Sequence, residues 1–456
     1  MELKNKRVLV VGMGKSGLAA SLFAAERGAL TVATDIKQKE ELGISTLELD
    51  EKGIRVVAGK HILEDFTSSD IIVASPGVPL NIYPLKAARD DGKLIIGEIE
   101  LASLFLKGTI IGITGSNGKS TTTSLTAWIL SCAGIDCRAC GNIGLPLIEM
   151  VAADSQDKFY SVELSSYQLE AIESFKPHIA LLLNLSPDHL DRYESYAHYI
   201  AAKGTIFKNQ IESDYAILNR EDSDSKTLEE HIKAQKLYFS SMHPVEKGAF
   251  IKAGNIYLKL QGKEEYLIAL DEIPLPGMHN VENVMAAALA ARVVGIKCPI
   301  IRAAVMSFKG LPHRLEHVAE IRGISFYNDS KATNVDSAIK AIQSFPGKKI
   351  VLILGGRDKG GDFTRLIPLI QDNVKEVILI GEATEKIKGQ IEGSAPIYEA
   401  SSLADGVKRG FKTASAGEIV LLAPGCASFD AYRNYEERGD DFRRNVLELM
   451  EELGDA

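Results

Sequence analysis

Short aliphatic and β-branched runs recur along this chain, each closed by a glycine-rich or polar turn and followed by a stretch of helical spacing. The clearest runs are Arg7–Val11, Thr109–Ile113, Phe159–Glu163, Ile179–Leu183, Lys349–Leu354, Glu376–Ile380 and Ile419–Ala423. They are continuously apolar instead of alternating. A strand with one wet face alternates with period two, so a continuous run implies cover on both faces. With helices between the runs, the pattern predicts parallel strands in an α/β architecture. Ligands in such sheets sit at the carboxyl ends of strands, so chemistry is expected in the turns that close the runs.

The runs fall into three consecutive blocks, at 1–107, 108–311 and 312–456. The first holds Val8–Val11, Thr31–Ala33 and Ile71–Ala74 and ends near Leu106-Lys107-Gly108. The second opens on the strand before Lys119. It carries a more polar stretch around Ala249–Leu270, read as antiparallel, and then a helix from about Asn280 to Val294. The third follows Gly310-Leu311-Pro312. The length of 456 residues agrees, since a single core stops growing near ~250–300 residues.

Several of the turns carry candidate chemistry. Gly112-Ile113-Thr114-Gly115-Ser116-Asn117-Gly118-Lys119-Ser120 follows a strand and precedes the helical run Thr121–Leu130. Glycines let backbone N–H groups turn inward around phosphates. A lysine reaches the β/γ-phosphates, and a hydroxyl such as that of Ser120 can bind Mg²⁺. The usual loop has a glycine six residues before the lysine. Here that position is Ile113, so the generic pattern is not matched. Gly12-x-Gly14-x-x-Gly17 follows the first run, and Asp35 ends the next strand. Alone, this reads as a dinucleotide fingerprint or as a holder of any nucleotide diphosphate.

Glu163-Leu164-Ser165-Ser166-Tyr167-Gln168 puts a carboxylate at a strand end in the same block as Lys119, where it suits a Mg²⁺ ligand or water holder. Asn184-x-Ser186-Pro187-Asp188-His189-x-x-Asp191 gathers Asn, His and two Asp in one turn. Lys203, in the helical stretch Tyr199–Phe207, reads by itself as a solvated surface lysine. Asn280 and Asn283 read as a cap and a surface amide. In the third block Pro312-His313-Arg314, Asn328–Asn334, Gly355–Lys359 and Pro424–Ser428 are polar turns beside apolar strands. Their cationic groups suit an anionic substrate.

Bulk charge narrows the partners. A net charge of −9 argues against nucleic acid, which needs a basic face. The segment Met1–Arg7 has no signal-peptide apolar region, and no run is long enough to span a bilayer, so a cytoplasmic chain with no membrane partner is expected. The cysteines at 132, 137, 140, 298 and 426 are odd in number, which fits reduced thiols. Cys137-x-x-Cys140 could suggest redox or zinc chemistry, but no second pair accompanies it.

Together, Thr114–Ser120, Glu163–Gln168, Asn184–His189, His279-Asn280, His313-Arg314 and Asn328–Asn334 resemble the Mur ligases, from about Val8 to Gly439. That family's loop is a short T-G-x-x-G-K-[ST], which accounts for Ile113. Glu-Leu-Ser-Ser-Tyr-Gln and Asn-Asp-Ser-Lys-Ala-Thr-Asn are similar to the wording of its D-glutamate-adding members. The resemblance implies a Rossmann-like N-terminal domain, a P-loop-type central ATPase domain and a Rossmann-like C-terminal domain. It also implies a reaction: ATP activates the carboxylate of UDP-N-acetylmuramoyl-L-alanine as an acyl phosphate, and D-glutamate attacks it. The implied partners are these small molecules alone, with ATP and two Mg²⁺ as cofactors, and the implied state is a monomer.

The resemblance also implies residue roles. Gly115, Ser116, Asn117, Gly118, Lys119, Ser120 and Thr121 would cradle ATP, aided by Asn280, Asn283, Arg314 and Asp329. Ser120 and Glu163 would hold one Mg²⁺, and His189 a second. Lys203 matches the position where the family's lysine is carbamylated, which makes a cation into an anionic metal ligand. Gly14, Lys15, Ser16, Gly17, Asp35, Ile36, Lys37, Ser75 and Gly77 would hold the uridine diphosphate, and Asn142 the acyl end of that substrate. Lys331, Thr333, Lys359, Ser428 and Tyr435 would bind D-glutamate. Other readings differ in class. An NAD-dependent dehydrogenase uses only the first loop. A P-loop switch or ATP-binding regulator leaves the last block's turns without purpose. A sibling Mur ligase or a folylpolyglutamate-synthase-like ligase explains all but the wording of the two motifs.

Overall fold

The computed structural model describes residues 1–42, 46–187 and 192–454. Its backbone forms three sheets, one for each block of the sequence pattern. The first contains β1 (Arg7–Val11), β2 (Leu30–Asp35), β3 (Arg55–Ala58), β4 (Ile71–Ala74) and β5 (Leu94–Gly97), all parallel, in the order β3-β2-β1-β4-β5. The order reverses between β1 and β4. The turns after those two strands, Gly12–Gly17 and Ser75–Gly77, therefore flank the crevice where a doubly wound sheet takes its ligand.

The second sheet contains β6 (Thr109–Thr114), β7 (Cys137–Gly141), β8 (Phe159–Glu163), β9 (Ile179–Leu182), β10 (Tyr215–Asn219), β11 (Gln235–Ser240), β12 (Gly248–Lys252), β13 (Asn255–Leu260) and β14 (Lys263–Ala269). Its order is β14-β13-β12-β11-β10-β9-β6-β8-β7. The polar stretch read as antiparallel is the β12-β13-β14 meander, while the remaining pairs are parallel. β6 lies between β8 and β9, so the loop that carries Lys119 leaves the sheet at its reversal point.

The third sheet contains β15 (Glu316–Ile321), β16 (Ile324–Asn328), β17 (Ile350–Gly355), β18 (Val374–Ile380), β19 (Ile397–Glu399) and β20 (Ile419–Leu422), in the order β15-β16-β20-β17-β18-β19. Only the β15–β16 hairpin is antiparallel. Every residue of β4, β9, β17 and β20 is buried, which is the two-sided cover that continuous apolar runs predict.

The chain forms two compact units. One is Met1–Glu272 with Glu282–Met306, and the other is Ile273–Val281 with Ser307–Ala456. In the first unit one apolar cluster runs from Val8 and Val10 of β1 to Ile110 of β6 and Leu182 of β9, so the first two sheets share it. Two buried glutamates on the short helix Glu98–Ser103 add polar ties across that junction. Glu100 accepts from the backbone N–H groups of Glu173, Ser174 and Phe175 at 2.8–2.9 Å and from the Ser174 hydroxyl. Glu98 accepts from the Ile148 N–H at 2.7 Å, and its second oxygen is buried and, among the described residues, without a partner.

Burial raises the Glu98 carboxyl from 4.5 to about 7. The folded protein therefore keeps a proton that the unfolded chain releases between those values. Stability falls as pH rises from about 4.5 to about 7, and the full loss, on the order of 3 kcal/mol, persists above that window. Glu98→Gln should thus unfold at a higher temperature than the parent at pH 8. The two should converge below pH ~4.5. A constant difference across the range would show that the Glu98 carboxyl titrates alike in the folded and the unfolded chain.

Candidate active site

The loop after β6 is shaped by two glycines and one asparagine. Gly115 and Gly118 have φ of 154° and 83°. A Cβ on Gly118 would stand 2.4 Å from the Asn283 Oδ1, so no other residue fits between the loop and that amide. Asn184, just beyond β9, pairs with the loop as a neighbouring strand would. Its Oδ1 accepts from the Asn117 N–H at 2.8 Å, its Nδ2 donates to the Asn117 carbonyl at 3.1 Å, and its own carbonyl accepts from the Ser116 N–H at 2.9 Å. Gly118 opens the helix Lys119–Cys132 with no side-chain cap, so the first-turn N–H groups face a ligand position. Lys119 Nζ donates to the carbonyls of Gly115 at 2.8 Å and Ser116 at 2.9 Å, and Ser120 and Thr121 are buried in the first turn.

Glu163 closes β8, beside Ile113 of β6. Asn142 Nδ2 donates to its Oε1 at 2.8 Å, and the Asn142 N–H donates to its main-chain carbonyl at 2.9 Å. This close approach depends on Gly141, where a Cβ would sit 2.5 Å from that carbonyl. Glu163 Oε2 is buried and, among the described residues, takes no hydrogen bond. A buried carboxylate oxygen with no donor fits a metal ligand, because a cation replaces the lost hydration.

Lys203 lies on the helix Tyr196–Gly204 and is only 2% exposed, which corrects its reading as a solvated surface lysine. Its Nζ donates to the Gly115 carbonyl at 2.9 Å and to Thr114 Oγ1 at 3.5 Å, and lies 4.8 Å from the Tyr199 ring centre. Two ammonium groups, of Lys119 and Lys203, thus share one carbonyl. Asp188, His189 and Asp191 lie outside the described residues.

In the first sheet the crevice is equally defined. A Cβ on Gly17 would stand 1.8 Å from the Gly12 carbonyl, which also accepts from Ser75 Oγ at 2.7 Å. Asp35 accepts from the Met13 N–H at 2.8 Å and the Lys37 N–H at 2.9 Å, which ties the turn after β2 to the loop after β1. Gly14 starts the helix Lys15–Glu26 without a side-chain cap, with Lys15 and Ser16 in its first turn and Ile36 exposed nearby in sequence. Gly77 follows Ser75 in the turn after β4.

The second unit holds the remaining candidates except Asn283. Asn280 belongs to it, and its Nδ2 donates to the Pro276 carbonyl at 2.7 Å. Asn283, on the same helix Met278–Val294, belongs to the first unit and accepts from Thr122 Oγ1 at 3.1 Å. Asp329 follows β16, beside Arg314, and burial lifts its carboxyl to about 7 against the pull of that cation. Lys331 Nζ lies 3.8 Å from the Tyr435 ring centre, and the Thr333 N–H donates to the Lys331 carbonyl at 2.8 Å. Lys359 is exposed after β17, and Ser428 is buried after β20.

Comparison with known proteins follows this geometry segment by segment. Residues 6–97 match the MurD-like N-terminal domain of Mur ligases, 113–291 the Mur ligase middle domain and 313–426 the Mur ligase glutamate ligase domain. The UDP-N-acetylmuramoylalanine–D-glutamate ligase of Acidobacterium capsulatum is 50% identical over 450 residues, 98% of this chain and 97% of its own. The chain belongs to the Mur ligase family. The enzyme of the same name from Koribacter versatilis is 44% identical over 99% of both chains. The MurF ligase of Thermotoga maritima, solved in complex with ADP, shares 18% identity at a TM-score of 0.59, covering 99% of this chain and 96% of its own, a likeness of fold.

Membership of the Mur ligase family leaves some contacts that motif reading passed over. Arg192 donates to the carbonyls of Pro76, Gly77 and Val78 at 3.4–3.5 Å, pairs with Glu170 at 3.2 Å and stacks 4.1 Å from the Tyr167 ring centre. It joins the turn after β4 to the second sheet's lobe, and nothing in its local spacing marks it. Cys137 and Cys140 sit on β7, three residues apart and hence on opposite faces of the strand, so they do not form a facing pair.

Proposed function

We propose that this Mur ligase joins D-glutamate to the alanyl carboxylate of UDP-N-acetylmuramoyl-L-alanine at the expense of ATP, in peptidoglycan synthesis. The observation that carries this reading is the end-to-end match, at 50% identity, to an enzyme of that name. A carboxylate is a poor electrophile because attack would expel oxide. Attack of its oxygen on the γ-phosphorus of ATP releases ADP and leaves an acyl phosphate. The amine of D-glutamate then adds to the acyl carbon, and the tetrahedral intermediate expels phosphate as the amide forms and the amine loses its proton. Catalysis is mainly positioning and charge neutralisation.

In this reading Gly115–Thr121 cradle the phosphates, and Lys119 leaves its loop carbonyls for the β/γ-phosphates. Asn283 lies against the loop, and Asn280, Arg314 and Asp329 hold adenosine and phosphate. Ser120, Glu163, His189 and a carbamylated Lys203 are the residues that would hold two Mg²⁺. Bound there, Mg²⁺ supplies charge neutralisation at the transferring phosphoryl group. The orphaned Glu163 oxygen supports this assignment. So do the two ammonium groups on the Gly115 carbonyl, since carbamylation of one would turn repulsion into attraction. Gly14–Gly17, Asp35–Lys37, Ser75 and Gly77 take the uridine diphosphate, and Asn142 positions both its acyl end and Glu163. Lys331, Thr333, Lys359, Ser428 and Tyr435 take D-glutamate.

The proposed domains are 1–107, 108–311 and 312–456, and the proposed state is a cytoplasmic monomer. Among the described residues no helix is long and apolar enough to cross a membrane. A coupled assay tests the whole reading. Phosphate should be released only when ATP, UDP-N-acetylmuramoyl-L-alanine and D-glutamate are all present. Release with another amino acid in place of D-glutamate would assign a sibling activity, and hydride transfer to NAD would overturn the reading.

A further inference from the structure

The helix Tyr435–Glu452 turns an arginine inward. Arg438 is 1% exposed and shares the buried stripe of Phe442, Val446 and Leu449. A guanidinium has five N–H donors, and here all five meet acceptors. Nε donates to Ser330 Oγ at 3.0 Å. One terminal nitrogen donates to the carbonyls of Ser330 at 2.9 Å and Cys426 at 3.1 Å, and the other to those of Ala427 at 3.3 Å and Gly355 at 3.4 Å. The acceptors are neutral, and burial brings the group down to about 10, the Asp430 charge offsetting a part. A buried cation held without an ion pair is costly, so the fold keeps it only where its geometry is used.

The acceptors identify that use. Ser330 lies in the turn after β16, Gly355 ends β17, and Cys426 and Ala427 lie in the turn after β20. The residues that follow them in those turns are Lys331 and Thr333, Lys359, and Ser428. Ser330 Oγ also donates to the Tyr435 carbonyl at 2.8 Å, which ties in the helix start. The three turns are in turn laced together by backbone bonds from Gly425 to Ala332 and between Arg357 and Ala427. They close so tightly on the guanidinium that a Cβ on Gly356 would lie 3.0 Å from its nitrogen and 2.3 Å from the Ala427 carbonyl.

We infer that Arg438 is the positioning residue of the amino-acid half of the site, fixing the three turns that present the D-glutamate-binding side chains to one another. The inference rests on the proposed D-glutamate roles of Lys331, Thr333, Lys359, Ser428 and Tyr435. A lysine cannot replace it, because an ammonium has three donors at one point and the acceptors need five in a fork.

The test is steady-state phosphate release by the full chain, with each substrate varied in turn, for Arg438→Lys and Ser330→Ala, alongside thermal melting. Arg438→Lys should raise the KM for D-glutamate by ~10–100-fold. Ser330→Ala should raise it less, and the KM values for ATP and for UDP-N-acetylmuramoyl-L-alanine should move by less than about twofold. A folded Arg438→Lys protein with an unchanged KM for D-glutamate, or with equal rises for all three substrates, would overturn the inference. Should Arg438→Lys fail to fold, an unchanged KM for D-glutamate in Ser330→Ala overturns it instead. Absence of D-glutamate dependence in the parent protein is a separate result: it removes the functional reading and the inference with it.

Discussion

Lys119→Ala should lower phosphate release by ~10³-fold or more and leave the fold intact. The two halves of that expectation have different origins. In the folded protein the ammonium group bonds the carbonyls of Gly115 and Ser116, two buried residues of the loop. Losing such bonds costs on the order of 1–3 kcal/mol, and the Gly115 carbonyl keeps Lys203 as a donor. The loop itself stands on other supports: the Asn184 pairing, the left-handed Gly118 and the helix behind it. The transferring phosphoryl group has no such substitute. Its charge grows on equatorial oxygens as the bond to ADP breaks, and a fixed cation at that point stabilises the transition state more than the ground state. The expected signature is a collapse of kcat with a melting temperature near that of the parent. A Lys119→Ala protein that retains a tenth or more of the activity would remove the loop from the mechanism.

Local features of the site were legible in the chain, and tertiary ones were not. Strand, glycine turn and helix around Lys119 are consecutive, so spacing alone places them, and Glu163 was marked by its place at the end of a buried run. The crevice in the first sheet was legible for the same reason: Gly12–Gly17 and Asp35 each close a strand. Lys203 was not. Its surroundings come from Thr114 and Gly115, nearly ninety residues away, and a helical stretch with one lysine looks solvated until those partners arrive.

Glu98 and Glu100 sit in the apolar run from Ile95 to Leu101, where a carboxylate is out of place. That misfit was the signal, but it did not say which backbone amides would meet them. Arg438 had a clearer mark. Positions 438, 442, 446 and 449 follow helical spacing, and an arginine on the apolar stripe of an amphipathic helix calls for a buried partner. The short strands Arg55–Ala58, Leu94–Gly97 and Ile397–Glu399 are only three or four residues long, and their place is set by the neighbours they pair with.

Lys203→Ala should lose ~10²-fold or more of the activity, and short carboxylic acids should restore part of it. The geometry explains both. The side chain is buried, so truncation leaves a cavity the length of three methylenes and an amino group that points at the Gly115 carbonyl and the loop. A small carboxylate can enter that space and present an anionic oxygen pair where the carbamate of the parent would lie. In the proposed carbamylation the neutral amine adds to CO₂, one N–C bond forms and a proton is released, which would leave a carbamate anion. A plain ammonium cannot hold Mg²⁺, and beside Lys119 it adds a second positive charge to the same carbonyl. The rescue must therefore depend on the acid's charge and size. Formate or acetate should work, the corresponding amides should not, and bulkier acids should fail as they outgrow the cavity. Intact-mass measurement of the parent under bicarbonate should show one added CO₂, which Lys203→Ala lacks. Activity that falls without any rescue, together with an unmodified parent mass, would leave Lys203 as a buried structural cation and take the carbamate out of the proposed metal site.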